Sequence, residues 1–269
     1  MPSPGLAQTP ATRRSVATLR AVGALMIREM ATRYGRSPGG YLWAVLEPMG
    51  GILILALGFS LLFRNPPLGN SFLLFYATGM LPFTLYQSVS LAVGRSIQFS
   101  RALLMYPSVT WADAVLARFV LNALTELLVV VILVVGILAI TDTRAVLDPL
   151  PIGAALGLAL LVSLGVGTLN CALFGLFPVW AQVWSIITRP LFIASGIFFI
   201  FDDLPPVVQD ILWWNPLIHV VGLMRMGFYP TYPGHYISVG YTVVVSLLML
   251  FFGVLLLARY HRTILNDDR

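Results

Sequence analysis

Six apolar runs, each close to twenty residues and almost free of charge, divide this sequence and constrain its fold more than any other feature. About 20 residues coiled into a helix cross the roughly 30 Å hydrocarbon core of a bilayer. The runs extend from about Leu42 to Phe63, Phe72 to Val93, Phe119 to Ile140, Pro151 to Phe177, Val183 to Phe201 and Ile237 to Leu257. None has the strict alternation of a barrel strand, and in lipid a helix satisfies its own backbone hydrogen bonds, so an all-α membrane bundle of six helices is expected. Composition agrees: 10% of the 269 residues are charged and mean hydropathy is +0.89, whereas a soluble domain carries about 25% charge.

Charge placement predicts the orientation. All sixteen basic residues are arginines, and with the N-terminus inside, thirteen fall on the cytoplasmic side. Arg64, Arg144 and Arg225 fall outside, together with Asp142, Asp148, Asp202, Asp203 and Asp210. Basic residues collect on the cytoplasmic face of membrane proteins, so both termini are expected there. The expected organisation is a disordered, Pro-rich lead-in at 1–14, without the pattern of a cleavable signal, and an interfacial segment at 15–41. A membrane domain at 42–258 and a cytoplasmic tail at 259–269 follow.

Three segments are neither span nor simple loop. Val16, Leu19, Val22, Leu25 and Met26 recur at helical spacing among arginines, which predicts an amphipathic helix on the inner leaflet. The stretch from Arg95 to Arg118 reads as a short helix, a break at Pro107 and the start of the third span near Asp113. From Leu204 to Pro233 the chain is aromatic and Pro-rich around WWNPLIH, which predicts re-entrant or interfacial helices on the outer side. Within the spans, Gly153 and Gly157 form a GxxxG pair suited to packing inside the chain. Glu126 with Asn122 and Thr125 reads as a polar seam between helices. Glu47 either pairs Arg33 or Arg36 or snorkels to the interface.

No phosphate-binding loop is present, and no lysine could complete one. HExxH, CxxC and GxSxG are also absent, and Cys171 is the single cysteine. No metal site and no bound cofactor are expected, and any energy for active transport must come from a partner or a gradient. The remaining chemistry suits an anionic glycan, because aromatic rings stack on the apolar faces of sugars and arginine grips carboxylate or phosphate. At the inner mouth the candidate binding residues are Arg33, Tyr34, Arg36, Tyr41, Trp43 and Glu47. On the outer side they are Trp213, Trp214, Arg225 and Tyr229, with Tyr232 nearby. An ordinary aromatic belt at headgroup depth would account for the same rings.

Three stretches, in this order, carry a resemblance. They are REMATRYGRSPGGYLWAVLEP (Arg28–Pro48), SRALLMYPSVTWADAVLAR (Ser100–Arg118) and SGIFFIFDDLPPVVQDILWWNPLIHVVGLMRMGFYP (Ser195–Pro230). The chain resembles the membrane subunits of ABC-2 type exporters for bacterial capsular polysaccharide, from about Ser15 to Arg262. The resemblance implies an inner-membrane permease, not an enzyme, working as two copies with two separate ATPase subunits that bind ATP and Mg. The implied cargo is a lipid-linked, anionic polysaccharide passed to a periplasmic co-polymerase or adaptor and an outer-membrane channel. It further implies coupling to the ATPase through the amphipathic helix and the inner-side break, at Arg28, Arg95, Arg101, Met105, Tyr106 and Pro107. An exporter of O-antigen, teichoic acid or a small drug stays open as an alternative, and behind it an ion-driven carrier or a lipid-modifying membrane enzyme.

Overall fold

The computed structural model describes residues 18, 20–30, 40–106, 109–141 and 147–266, and among them the regular structure is entirely helical. Helix α1 occupies 20–30. It is followed by α2 (Gly40–Leu62), α3 (Phe72–Gly94), α4 (Ser96–Leu104), α5 (Trp111–Ile140) and α6 (Pro149–Leu176). Then come α7 (Trp180–Ala194), a 3-10 turn (Phe201–Asp203), α8 (Pro206–Leu212), α9 (Pro216–Phe228) and α10 (Val239–Asn266).

Helices α2, α5, α6 and α10 are each long and apolar enough to cross a membrane. The pair α8 and α9, bent by 105°, could supply one more crossing. Helix α3 is as long as α2 but carries Thr78, Thr84, Gln87, Ser88 and Ser90. It tolerates them because it is the central helix, packed against α2, α5, α6 and α9, with most of its length buried among protein atoms. Polar side chains there meet neighbouring backbone instead of lipid: Thr78 Oγ1 donates to the Phe75 carbonyl at 2.9 Å. By contrast α2, α5 and α10 expose Ile54, Leu57, Leu128, Val135, Phe251 and Leu255 on their outer faces.

Helix starts follow local chemistry. Thr110 and Asp113 form a reciprocal capping box that begins α5 at Trp111, eight residues before the apolar run itself. Asp148 caps α6 ahead of Pro149, and Asn215 caps α9 ahead of Pro216. The fifth apolar run differs from expectation. Its helix stops at Ala194, since Gly196 takes φ +80°, a conformation that ends the helix, and residues 195–200 continue without helical geometry. The last helix instead continues past its apolar run to Asn266.

The GxxxG expectation is corrected by the packing. A Cβ on Gly153 or Gly157 would meet nothing within 4 Å. Close approach occurs further along α6, where it crosses α10. A Cβ on Gly253 would lie 2.6 Å from the Leu169 backbone nitrogen, and one on Gly165 would strike the Ser246 carbonyl. Glycine lets these two backbones touch, which is how helices gain contact where lipid supplies no hydrophobic drive.

Candidate functional site

A groove of about 680 Å³ runs along α3 and α7. Tyr86, Gln87, Ser90 and Leu91 come from α3, Arg95 from its junction with α4, and Phe174 from α6. Ala181, Trp184, Ser185, Thr188 and Phe192 are related by steps of three or four residues, with Trp184 and Ser185 side by side, and so form one face of α7. Arg189 and Ile193 border that face, and Phe198, from the non-helical segment beyond α7, completes the lining. The start of α7 is pinned where Trp180 Nε1 donates to Asn170 Oδ1 of α6 at 2.9 Å.

The groove has a clear electrostatic sense. It is lined by two arginines and no acid, and among the described residues neither guanidinium has a carboxylate partner. Its walls are aromatic. Rings continue from Tyr86 through Phe83 (5.9 Å between centroids) and Phe192 (5.1 Å) to Phe198 (5.4 Å). Phe198 then meets Phe59 of α2 and Tyr76 of α3. Such a site can hold an oxyanion by paired N–H donors and pack the apolar faces of sugar rings beside it. Arg189 interrupts the fifth apolar run, and its helical spacing from Ser185 and Phe192 is the signal in the sequence that puts it on this face.

The expected outer-side residues are brought together, but mainly in contact with protein. Trp213 is half-buried against Tyr241, and its Nε1 donates to the Tyr236 carbonyl at 3.0 Å. Asn215 Nδ2 donates to the Ala194 carbonyl at 3.1 Å, tying the end of α7 to the start of α9. Arg225 is 1% exposed; its Nη1 donates to the Phe199 carbonyl at 2.7 Å and its Nη2 to the Ile197 carbonyl at 3.1 Å. Its guanidinium also lies over the Phe75 ring at 4.3 Å. Tyr229 and Tyr232 are buried beside it, and burial pushes the Tyr232 phenol above its ordinary range, so it stays neutral there. Trp214 alone of this set is well exposed.

At the inner mouth, Arg33, Tyr34 and Arg36 lie outside the described residues, as does the Tyr41 side chain. Trp43 and Glu47 are exposed on the first turns of α2. The expected coupling residues gather at the end of the bundle formed by α1, α4 and the end of α10. Arg101 Nη2 donates to the Leu265 carbonyl of α10 at 3.0 Å. Arg28 lies over the Phe99 ring of α4 at 5.6 Å. Met105 and Tyr106 are exposed at the tip of α4, Pro107 lies outside the described residues, and Arg95 turns into the groove.

Sequence reasoning missed the contact that docks α1. Glu29 is buried, and its carboxylate pairs with Arg118 of α5 at 2.9 Å. Asn122 of the same helix donates to Glu29 Oε1 at 3.4 Å, so the expected polar seam at Asn122 reaches α1. Arg118 also covers Phe99 at 4.3 Å and donates to the Arg95 carbonyl at 3.3 Å. No group of three or more His, Cys, Asp or Glu suited to a metal ion occurs among the described residues.

Comparison with known proteins gives one family. Residues 20–229 match the model for the ABC-2 type transporter membrane family. Over 235 residues the chain is 31% identical to the polysialic acid transport protein KpsM of Escherichia coli, covering 87% of this chain and 91% of that protein. It is 26% identical over 243 residues to the capsule polysaccharide export inner-membrane protein CtrC of Neisseria meningitidis serogroup B, covering 90% and 92%. The protein BexB of Haemophilus influenzae, with the same description, is 25% identical over 243 residues, covering 90% and 92%.

Proposed function

The chain belongs to the ABC-2 type transporter family, and on that premise we propose that it is the permease subunit of a capsular polysaccharide exporter. It is a multi-pass inner-membrane protein and a transporter component, not an enzyme. ATP, with Mg, is bound and hydrolysed by a separate pair of ABC ATPase subunits. Two copies of the chain form the pathway, with both termini cytoplasmic. Six crossings are made by α2, α3, α5, α6, α7 and α10, and α8 and α9 form an outer-side pair. The cargo is a lipid-linked, anionic polysaccharide moved from cytoplasm to periplasm, where a co-polymerase or adaptor and an outer-membrane channel receive it.

The observation that carries this reading is the groove, with two arginines, aromatic walls and no acid along its lining. A polymer bearing carboxylate or phosphate finds opposite charge there, in surroundings where charge-assisted hydrogen bonds are stronger than in water. Its sugar rings find flat apolar partners in the half-buried rings of Trp184 and Phe192. The exposed tip of α4 at Met105 and Tyr106, beside the docked α1, supports these elements as the ATPase-facing surface.

The test is export of polymer to the cell surface with Arg95→Ala, Arg189→Ala and the double variant, each checked for assembly with the ATPase. Each single change is expected to lower export about tenfold, roughly the worth of one charged hydrogen bond. The lysine variants should retain part of it. Unchanged export from the assembled double variant would remove the groove from the pathway.

A further inference from the structure

We propose that Arg225 is the latch of an aromatic plug that closes the groove at its Phe198 end; this rests on the reading of the groove as the transport path. A fully buried guanidinium needs a reason to be there, since an unpaired charge in such surroundings is costly. Its two terminal nitrogens hold the carbonyls of Ile197 and Phe199. Those two residues flank Phe198, the ring that completes the groove lining. The segment has left α7 at Gly196 and has no helical hydrogen bonds of its own, so Arg225 supplies donors that the chain no longer provides.

The geometry makes this a matter of position. With both neighbouring carbonyls drawn toward α9, the Phe198 side chain is held among Phe59, Tyr76 and Phe192, at 6.0, 6.4 and 5.4 Å between centroids. These rings come from α2, α3 and α7, so one side chain joins three helices across the end of the path. Helix α3 seats the segment from behind: a Cβ on Gly79 would lie 3.0 Å from the Ile197 Cα and 3.5 Å from Arg225 Nη2. The fork of a guanidinium can satisfy two carbonyls at once, whereas an ammonium is a single point of donation. Passage of a polymer then requires segment 195–200 to leave Arg225, and Arg225 is a positioning residue acting through Phe198.

The experiment reads access to the groove and does not depend on cargo. In the assembled complex with its ATPase, in a Cys171→Ala background, Thr188→Cys introduces a thiol in the groove. A membrane-impermeant maleimide is then applied from the α8 side without ATP. Arg225→Gln and Phe198→Ala are each expected to speed labelling at least about tenfold, as a closed state does when it loses one of its holding contacts. Arg225→Lys should fall between. Labelling unchanged by both variants overturns the latch, including the case in which Arg225→Gln merely lowers stability. Should Arg225→Gln fail to assemble, Arg225→Lys decides the latch and Phe198→Ala the plug: wild-type labelling in either overturns the part it tests. If labelling responds while the wild-type complex exports no polysaccharide, the latch stands and the cargo assignment fails.

Discussion

His219 on α9 is completely buried, and both of its ring nitrogens are engaged. Nε2 donates to the Trp213 carbonyl at 2.8 Å, and Nδ1 accepts from the Ser238 N–H at 3.3 Å, so the ring is neutral with its proton on Nε2. The imidazole therefore bridges the turn before α9 and the entry to α10. His219→Leu keeps the volume but leaves a carbonyl and an N–H unpaired, at about 1–3 kcal/mol for each buried group. The expected outcome is a clear fall in the unfolding midpoint of the detergent-purified complex, and an unchanged midpoint would refute this role. The same corner explains what was illegible in WWNPLIH. Its aromatic content suggested sugar stacking, but Trp213 and Asn215 spend their polar groups on Tyr236 and Ala194, 23 and 21 residues away. A motif read along the chain carries no information about partners at that distance. Arg225 illustrates the same limit: its charge was visible, its burial and its two carbonyl partners were not.

Arg118 ties both α1 and α4 to the bundle. It pairs with Glu29 of α1, covers Phe99 of α4, and donates to the Arg95 carbonyl at the junction of α3 and α4. Arg118 thus connects α1 and α4 to Arg95, which lines the groove, and motion imposed on either helix would have a route to it. Breaking a buried ion pair from one side strands the other charge, at about 3–5 kcal/mol. Glu29→Gln, which stays polar and strands less, should leave ATPase binding in place but raise the ATP hydrolysed per polymer exported. The exchange of Glu29→Arg with Arg118→Glu should restore part of the coupling; a ratio equal to wild type in Glu29→Gln would refute transmission through this pair. The crossing of α6 and α10 is open to a stability test. Gly253→Val should cost at least about 1–3 kcal/mol by overpacking two backbones, read as loss of folded protein in detergent, whereas Gly157→Val should cost little. At this scale much was legible: apolar runs marked α2, α3, α5, α6 and α10, and the polar break marked α4. The end of α7 was not, because Phe198, Phe199 and Ile200 continue the apolar run while Gly196 turns the backbone out of the helix.

Helix α7 buries none of its fifteen residues within the single chain, although it forms one wall of the groove. A helix so placed beside α3 and α6, with Ile186 and Ile193 well exposed, has its remaining faces available to something outside the chain. Lipid could cover isoleucine, but Arg189 and Gln182 on the same helix are exposed as well, and charge facing hydrocarbon is expensive. A second copy of the chain would cover both, since two α7 helices and two grooves brought together would enclose a polar path away from lipid. This is also the scale at which sequence alone is silent: the apolar content of α7 suits lipid or protein equally, and only the exposure of Arg189 and Gln182 in the folded chain separates them. The prediction is that Ile186→Cys or Ile193→Cys, in a Cys171→Ala background, forms a cross-linked dimer under mild oxidation in native membranes. Leu128→Cys, on the exposed face of α5, should stay monomeric under the same treatment. If the α5 thiol cross-links and both α7 thiols do not, the two copies meet through another face and each groove opens toward lipid instead of a shared path.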